Sequence, residues 1–544
     1  MTLGVLALAA ISNVYDFVDV ATDWNVTSPN VFGGQSRKDY ILETTGNGAA
    51  ILDFDNDGDE DILILNGTRL DKAPSAFPAL YRNDGGGSFT DVARDAGFTQ
   101  QGWAQGVCAG DVDNDGWTDV VVTYFGSNRF FRNVKGRFVD TTAAVKLPEN
   151  VNRFGSGCTL LDFNRDGRLD LFISNYVALD LAKTPKPGSS AECKWKEIAV
   201  MCGPRGLPLA TNLLYRQNPD GTFTDVTAAM GIAKPGGRYA LQAVAADFDN
   251  DGWPDIYVAC DMTPSLLFRN KGGAMFEERG VEAGVAYNYD GRLQAGMGVA
   301  VGDFDRDGRL DIAKTNFSGD LISLFRNEDG QFFTDISREA GLGSNQLLGW
   351  GIAFTDFDSD GWLDLMSVNG HVYPEVEGAN VGDKYRQEVL LYRGRPGAKF
   401  EDASRTSGPG LLTPRASRGL AIGDLDGDGR PEAVIVNMNE KPAVLKNRAA
   451  ALGKFVNLRF EGTGKSNRSA IGARWTVSAG KQKWAGEVMS GSSFYSQHSF
   501  TQHVGLGPGV ENVDVEVRWP SGQVQKWTSL PAVPEVQRLK ERQP

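Results

Sequence analysis

Carboxylates recur along this chain at a spacing that suits a hard divalent cation. The pattern Asp-x-Asp/Asn-x-Asp-Gly-x-x-Asp/Glu occurs seven times, starting at Asp53, Asp111, Asp162, Asp247, Asp303, Asp356 and Asp424. Side chains at positions 1, 3 and 5 can curl inward onto one ion, and Gly at position 6 admits the sharp turn. Position 7 can offer its carbonyl, and the acid at position 9 closes the shell, an all-oxygen set of the kind calcium takes. The candidate ligands in the first three loops are Asp53, Asp55, Asp57 and Asp61; Asp111, Asp113, Asp115 and Asp119; and Asp162, Asn164, Asp166 and Asp170. The next two loops offer Asp247, Asp249, Asp251 and Asp255, then Asp303, Asp305, Asp307 and Asp311. The last two offer Asp356, Asp358, Asp360 and Asp364, then Asp424, Asp426, Asp428 and Glu432. A metal-free Asx turn needs neither three carboxylates in five residues nor a fourth at position 9. An EF-hand is excluded, because position 12 of the first loop is Ile64 and the flanks read as strands.

The charge balance points the same way. Six loops carry four acids each and the Asp162 loop three, so the ligand positions hold 27 of the 69 Asp and Glu. The other 42 acids face 55 Lys and Arg, and seven Ca²⁺ would bring the formal charge of −14 to zero. Without metal the crowded carboxylates would repel and destabilise their hairpins. Up to seven structural calcium ions are therefore expected, with affinities on the order of 10⁻⁴–10⁻³ M as in extracellular modules. Sites that weak would stay empty in cytosol, so a secreted, periplasmic or cell-surface location is expected. The acidic balance argues against a nucleic-acid partner. No stretch reaches the roughly 18 apolar residues needed for a membrane span.

The elements that must position these loops repeat with them. Small apolar runs such as GVCAGD, QAVAAD and GLAIGD precede the loops, and β-rich runs such as DILIL, DVVVTY and EAVIV follow, so each loop joins two strands as a hairpin. A third element follows, as LYRN from Leu80 or LFRN from Leu267, and then Phe-x-Asp-Val, as from Phe89 and Phe223. Four short strands in about 50 residues, repeated seven times, predict an all-β protein: a seven-bladed β-propeller over residues 17–448, followed by a small β-domain. The seventh repeat lacks its Phe-x-Asp-Val strand, and FVDV from Phe17 is expected to supply it and close the ring.

The loops with their flanking strands resemble the FG-GAP/VCBS repeats of integrin α-chain propellers and many bacterial surface proteins. At the other end, NRSAIGARWTV from Asn467, GSSFYSQHSFTQHVGLG from Gly491 and VEVRWPSG from Val515 look like an ASPIC/UnbV domain, assigned to residues 454–530 with a C-terminal tail at 531–544. The combination is similar to the cartilage acidic protein family, and CKWKEIAVMCGPRGLP from Cys193 looks like its bacterial branch. The resemblance implies a secreted calcium-binding protein with matrix or surface partners and no established catalytic residues. In bacteria the UnbV name is linked to enediyne biosynthesis clusters.

The remaining chemistry-bearing residues are few. Residues 1–16 read as a truncated export signal or a plain N-terminal segment: Leu3 to Ile11 has the length of a signal core, but no basic residues precede it. Of five cysteines, Cys193 and Cys202 are expected to form a disulfide, while Cys108, Cys158 and Cys260 read as small buried residues. The three histidines, His371, His498 and His503, show no zinc spacing. Trp117, Trp253 and Trp362, at loop position 7, are expected to pack against neighbouring blades. Arg153, Arg238 and Arg415 each stand nine residues before a loop, with Arg292 near that position in its own repeat. They are expected to line an electropositive axial funnel on the face opposite the loops, walled by insertions at about 176–212 and 369–387. A protein, an anionic glycan or a small acidic ligand would bind there. Nearly all patterned carboxylates belong to metal loops, so a binding protein is expected rather than an enzyme. The alternatives are an extracytoplasmic polysaccharide-acting enzyme, or an accessory protein of an enediyne-type biosynthetic or secretion system.

Overall fold

A computed structural model describes residues 14–71, 76–149, 153–343 and 346–543. The N-terminal stretch that bears on an export signal lies largely outside the described residues. Seven four-stranded antiparallel sheets follow one another in sequence. The first comprises Ala49–Leu52, Asp61–Ile64, Ala79–Asn83 and Phe89–Asp91, in that spatial order. The inner strands of the second to seventh blades are Ala104–Gly110, Arg153–Leu161, Ala240–Ala246, Val299–Gly302, Gly349–Thr355 and Ser417–Gly423. Each acidic loop is the hairpin between an inner strand and the second strand beside it. Ring closure follows the expected route: Phe17–Asp19 pairs with Ala443–Asn447, with Phe17 opposite Asn447 and Asp19 opposite Leu445. The N-terminal strand thereby covers the edge that the seventh blade would otherwise expose.

The C-terminal domain is two sheets. One orders Gln482–Glu487, Arg474–Ala479, Asn512–Arg518 and Val524–Pro531; the other orders Gln502–Gly507, Lys454–Glu461 and Val536–Lys540. The segment read as a tail is thus corrected: Val536–Lys540 pairs in parallel with Lys454–Glu461, Asn457 opposite Val536. Its short alternating run is a weak signal, because one parallel partner is its only sheet neighbour. The domain lies on the acidic-loop face and shares a core with the second and third blades, where Val504, Trp519 and Ile471 belong to one cluster with Leu160, Leu169 and Val112.

The segment 490–499 enters the axial channel and hydrogen-bonds to the inner strand of every blade. Its partners are Ala49 and Ile51, Val107 and Ala109, Thr159, Gln242, Val299, Ile352 and Ile422. Inner strands have one free edge facing the axis, and these bonds satisfy it where water would otherwise be needed. Close approach requires glycine: a Cβ on Gly48 would collide with the Tyr495 carbonyl. Phe494 and Tyr495 at the tip are fully buried.

Two further expectations are corrected. Cys108 and Cys158 are not free but disulfide-bonded, joining the inner strands of the second and third blades. The sequence concealed this because the partners lie 50 residues apart on strands that meet only when blades stack. Cys193 and Cys202 are bonded as expected, and Cys260 is free and buried. The arginine funnel is not formed. On the face opposite the loops the axis is filled by an apolar cluster that includes Phe154, Tyr176, Tyr239, Trp350, Phe494 and Tyr495. Arg415 binds the Asp19 carboxylate at 2.7 Å and the Gly410 carbonyl at 2.9 Å; Arg238 caps the Pro235 and Gly237 carbonyls. Loop and helix carbonyls beside these guanidinium groups are not engaged by a sheet and capture them first. Arg153 is half-buried at the start of its strand, and Arg292 is exposed at the rim of the fifth blade.

Candidate metal centres

The seven loops share one backbone conformation. Position 4 is left-handed in all of them, from Asn56 (φ 59°) to Gly427 (φ 73°), and so is the Gly at position 6, from 102° at Gly58 to 83° at Gly167. Gly occupies that region without strain and Asn tolerates it, which accounts for Gly at position 6 and for Asn56, Asn114, Asn250 and Gly427 at position 4; Arg165, Arg306 and Ser359 adopt it as well. The position 6 N–H donates to the position 1 carboxylate in every loop, at 2.7 Å for Gly116 and Asp111 and 3.2 Å for Gly58 and Asp53. The position 7 N–H donates to position 5 in every loop, as Trp117 to Asp115 at 3.0 Å. At position 1 the second oxygen is without a hydrogen bond in Asp53 and Asp247, whereas in the other five loops it accepts a further loop N–H.

The arrangement fits an oxygen-seeking cation. In the loops from Asp53, Asp111, Asp247, Asp303 and Asp356, three carboxylate oxygens lie within 4.8 Å of one another. Asp53 Oδ1, Asp55 Oδ1, Asp247 Oδ1 and Asp426 Oδ1 are buried without a hydrogen-bond partner. Buried unpaired carboxylate oxygens are costly unless a cation meets them. The acids at positions 1, 3, 5 and 9 would hold that ion, which would supply the charge that screens them from one another. Burial drives the carboxyls up: Asp61, Asp119 and Asp255 to about 8, and Asp111, Asp162 and Asp424 to about 6.

Position 9 has a second task. Asp61 accepts the N–H of Phe54 at loop position 2 (2.9 Å) and the N–H of Asn83 on the third strand (2.8 Å). Asp119, Asp170, Asp311 and Asp364 repeat this pair of bonds. The third-strand residue then reaches across the blade interface. Asn133 donates to the Phe54 carbonyl, Gln217 to Val112, Asn270 to Phe163, Asn327 to Phe248, Asn447 to Phe357 and Asn83 to Leu425. Six of the seven metal loops, all but the fifth, are therefore bolted to the next blade, and the Asn83 bond runs from the first blade to the seventh. The Asn of LYRN and LFRN carries this signal in the sequence, but its role requires knowing which loop lies beside it. In the sixth blade Gly394 stands there, and a Cβ on it would strike the Leu363 carbonyl.

The C-terminal domain closes over the loops. The position 6 carbonyls of the fifth, sixth and seventh loops accept from Arg474 (2.8 Å), Trp484 (3.0 Å) and Asn457 (2.7 Å). In the fourth loop Arg518 pairs with Asp247, whose N–H donates to Glu487. In the second, the Asp111 N–H donates to Ser469 at 2.7 Å.

Two family models match this chain: FG-GAP-like repeats at residues 53–122, 111–173, 197–258 and 247–314, and ASPIC and UnbV at 462–542. The chain is an FG-GAP-repeat propeller with a C-terminal ASPIC/UnbV domain. It is 28% identical to cartilage acidic protein 1 of Xenopus tropicalis over 88% of this chain and 70% of that protein. It is 25% identical to the human and mouse proteins of that name, again over 88% of this chain, and over 69% and 71% of theirs.

Other residues of the FG-GAP ring take structural roles. The Trp253 and Trp362 rings lie under Arg165 and Arg306 of the preceding loops, 5.0 and 4.9 Å from the guanidinium carbons, so these rings do pack between blades. His371, His498 and His503 are held neutral by burial, each pushed down to about 4. His498 Nδ1 accepts the Ile422 N–H, and His371 packs among Trp195, Phe317 and Tyr373. A cavity of about 180 Å³ lies between the UnbV domain and the fifth to seventh blades, lined by Trp475, Trp484, Glu487, His498 and His503.

Proposed function

We propose that this protein is a calcium-stabilised, extracytoplasmic interaction module that binds a protein or an anionic glycan on the face opposite its metal loops, and that it is not an enzyme. The observation that carries the reading is the coverage of the ring: the UnbV domain occupies the loop face and fills the axis, so partners have the other face. Support there comes from the disulfide-closed insertion around Cys193 and Cys202, and from a pocket of about 230 Å³ at the rim of the fifth blade. Arg292, Arg338 and the exposed Tyr289 line that pocket together with Asp290, Asp320, Asp335 and Glu339, a mixed-charge lining that suits a protein surface better than an anionic glycan. Of the four arginines singled out by position, Arg292 is the exposed one. Calcium is the favoured ion because every donor is a hard oxygen, and the two disulfides agree with an oxidising compartment.

The test is glycan-array and pull-down screening of the full chain with and without calcium, alongside Arg292→Glu. Calcium-dependent retention that this charge reversal weakens supports the reading. Cleavage of a retained glycan would replace it with the enzyme reading. Elemental analysis showing no bound ion in millimolar calcium would remove the metal.

A further inference from the structure

The contacts between the UnbV domain and the ring are of two kinds. Segment 490–499 is tied to the inner strands and not to the acidic loops themselves. The rim contacts instead fall on the loops, and on the atoms that the metal-binding turn presents. Arg474, Trp484 and Asn457 donate to the carbonyls of Gly308, Gly361 and Gly429, each the position 6 residue of its loop. Leu452 and Gly507 add N–H bonds to the carbonyls of Asp358 (2.7 Å) and Ser359 (3.1 Å) in the sixth loop. All five bonds reach the fifth to seventh blades, and Asn457, Trp484, Gly361 and Gly429 from among them line the cavity together with Trp475, His498 and His503.

We infer that calcium holds this edge of the UnbV domain shut. The idea rests on the calcium reading of the loops. Position 6 carbonyls point at the domain while the turn is curled; without the ion, the four acids of each of these loops have Arg309, Arg393, or Arg430 and Lys446 as their closest cations, too little positive charge to hold four carboxylates together. Loss of the ions from the fifth to seventh loops removes the acceptors of five donors at once, whereas the axial segment keeps its own. The domain then lifts at this edge and pivots on the axial segment, and the cavity with its two indoles opens to solvent. The ring thus contains a calcium-dependent latch and a calcium-independent hinge.

Hydrogen exchange of the full chain along a falling free-calcium series tests this, with bound calcium measured at each step. The expected result is that residues 452–460 and 482–487 exchange at least roughly tenfold faster at a calcium level where residues 490–499 and the inner strand 240–246 are still protected. Acrylamide quenching of tryptophan should rise over the same range. The double substitution Asn457→Ala with Trp484→Phe removes two rim donors and touches no ligand. In saturating calcium it should speed exchange in residues 452–460 with the ion count unchanged. The latch is overturned if the rim stays protected once bound calcium has reached zero, if rim and inner strands lose protection together, or if the double variant exchanges like the parent. If no calcium is bound at any concentration, the metal reading itself fails, and the ion measurement separates that outcome from failure of the latch alone.

Discussion

The first and sixth metal loops have the same signature and opposite surroundings. In the first, Asn56 to Asp59 are exposed. In the sixth, Asp356 is 2% exposed, and Asp358 and Ser359 are fully buried. The turn is the same: both use a left-handed residue at position 4, a left-handed Gly at position 6 and the same pair of backbone bonds to the carboxylates. The difference comes from neighbours. Over the sixth loop lie Leu452, just before the UnbV domain, and Trp484 and Gly507 of that domain, Arg393 pairs with Asp358 and Asp360 at 2.7 and 2.8 Å, and Tyr15 of the N-terminal segment is buried alongside. A repeat thus fixes what a site can bind, while the rest of the chain fixes how the site communicates with solvent.

The strongest challenge to that contrast is complete removal of calcium. Chelation should lower the thermal midpoint by more than about 10 °C, since every loop loses the ion that screens its acids. Scanning fluorimetry will show it, and calcium counts of the parent against Asp55→Asn and Asp358→Asn at partial chelation should find the sixth-loop ion lost last. Equal loss from all loops would abolish the distinction. Single ligands come next. Asp358→Asn should cost about 3 kcal/mol, because it removes a fully buried carboxylate from Arg393 and leaves that guanidinium with Asp360, while Asp55→Asn should cost about 1 kcal/mol. Urea unfolding of the two variants compares them directly.

The bolts between blades give smaller effects. Asn133→Ala removes the bond to the first loop's Phe54 carbonyl and should cost about 1–2 kcal/mol with ion stoichiometry unchanged, as unfolding and elemental analysis will report. The interface before the sixth blade has no such bond to lose. Adding the side chain there, as Gly394→Asn, should destabilise by about 1–3 kcal/mol, since its Cβ meets the Leu363 carbonyl. Stabilisation by that change would show that the sixth blade lacks its bolt by accident, not by steric necessity.

Much of this architecture is local and so was written in order along the chain. Seven copies of an acidic turn in register require seven hairpins. Gly at position 6 of every loop, and Asn or Gly at position 4 of four of them, favour the left-handed turn. The absent fourth strand of the last repeat pointed to Phe17. Each of these follows from residues within a few positions of one another, or from one repeat compared with the next.

Only the folded ring decided the rest. Cys108 meets Cys158 because two inner strands stack. Arg415 and Arg238 go to nearby backbone oxygens and Asp19 rather than to a common funnel. Val536–Lys540 becomes a strand because Lys454–Glu461 offers it an edge. Segment 490–499, conspicuous in the sequence but mute about its place, fills a channel that seven separate blades must first enclose. These are contacts between residues far apart in sequence, selected by shape and by the need to pair buried polar groups, and no periodic pattern along one strand can encode them.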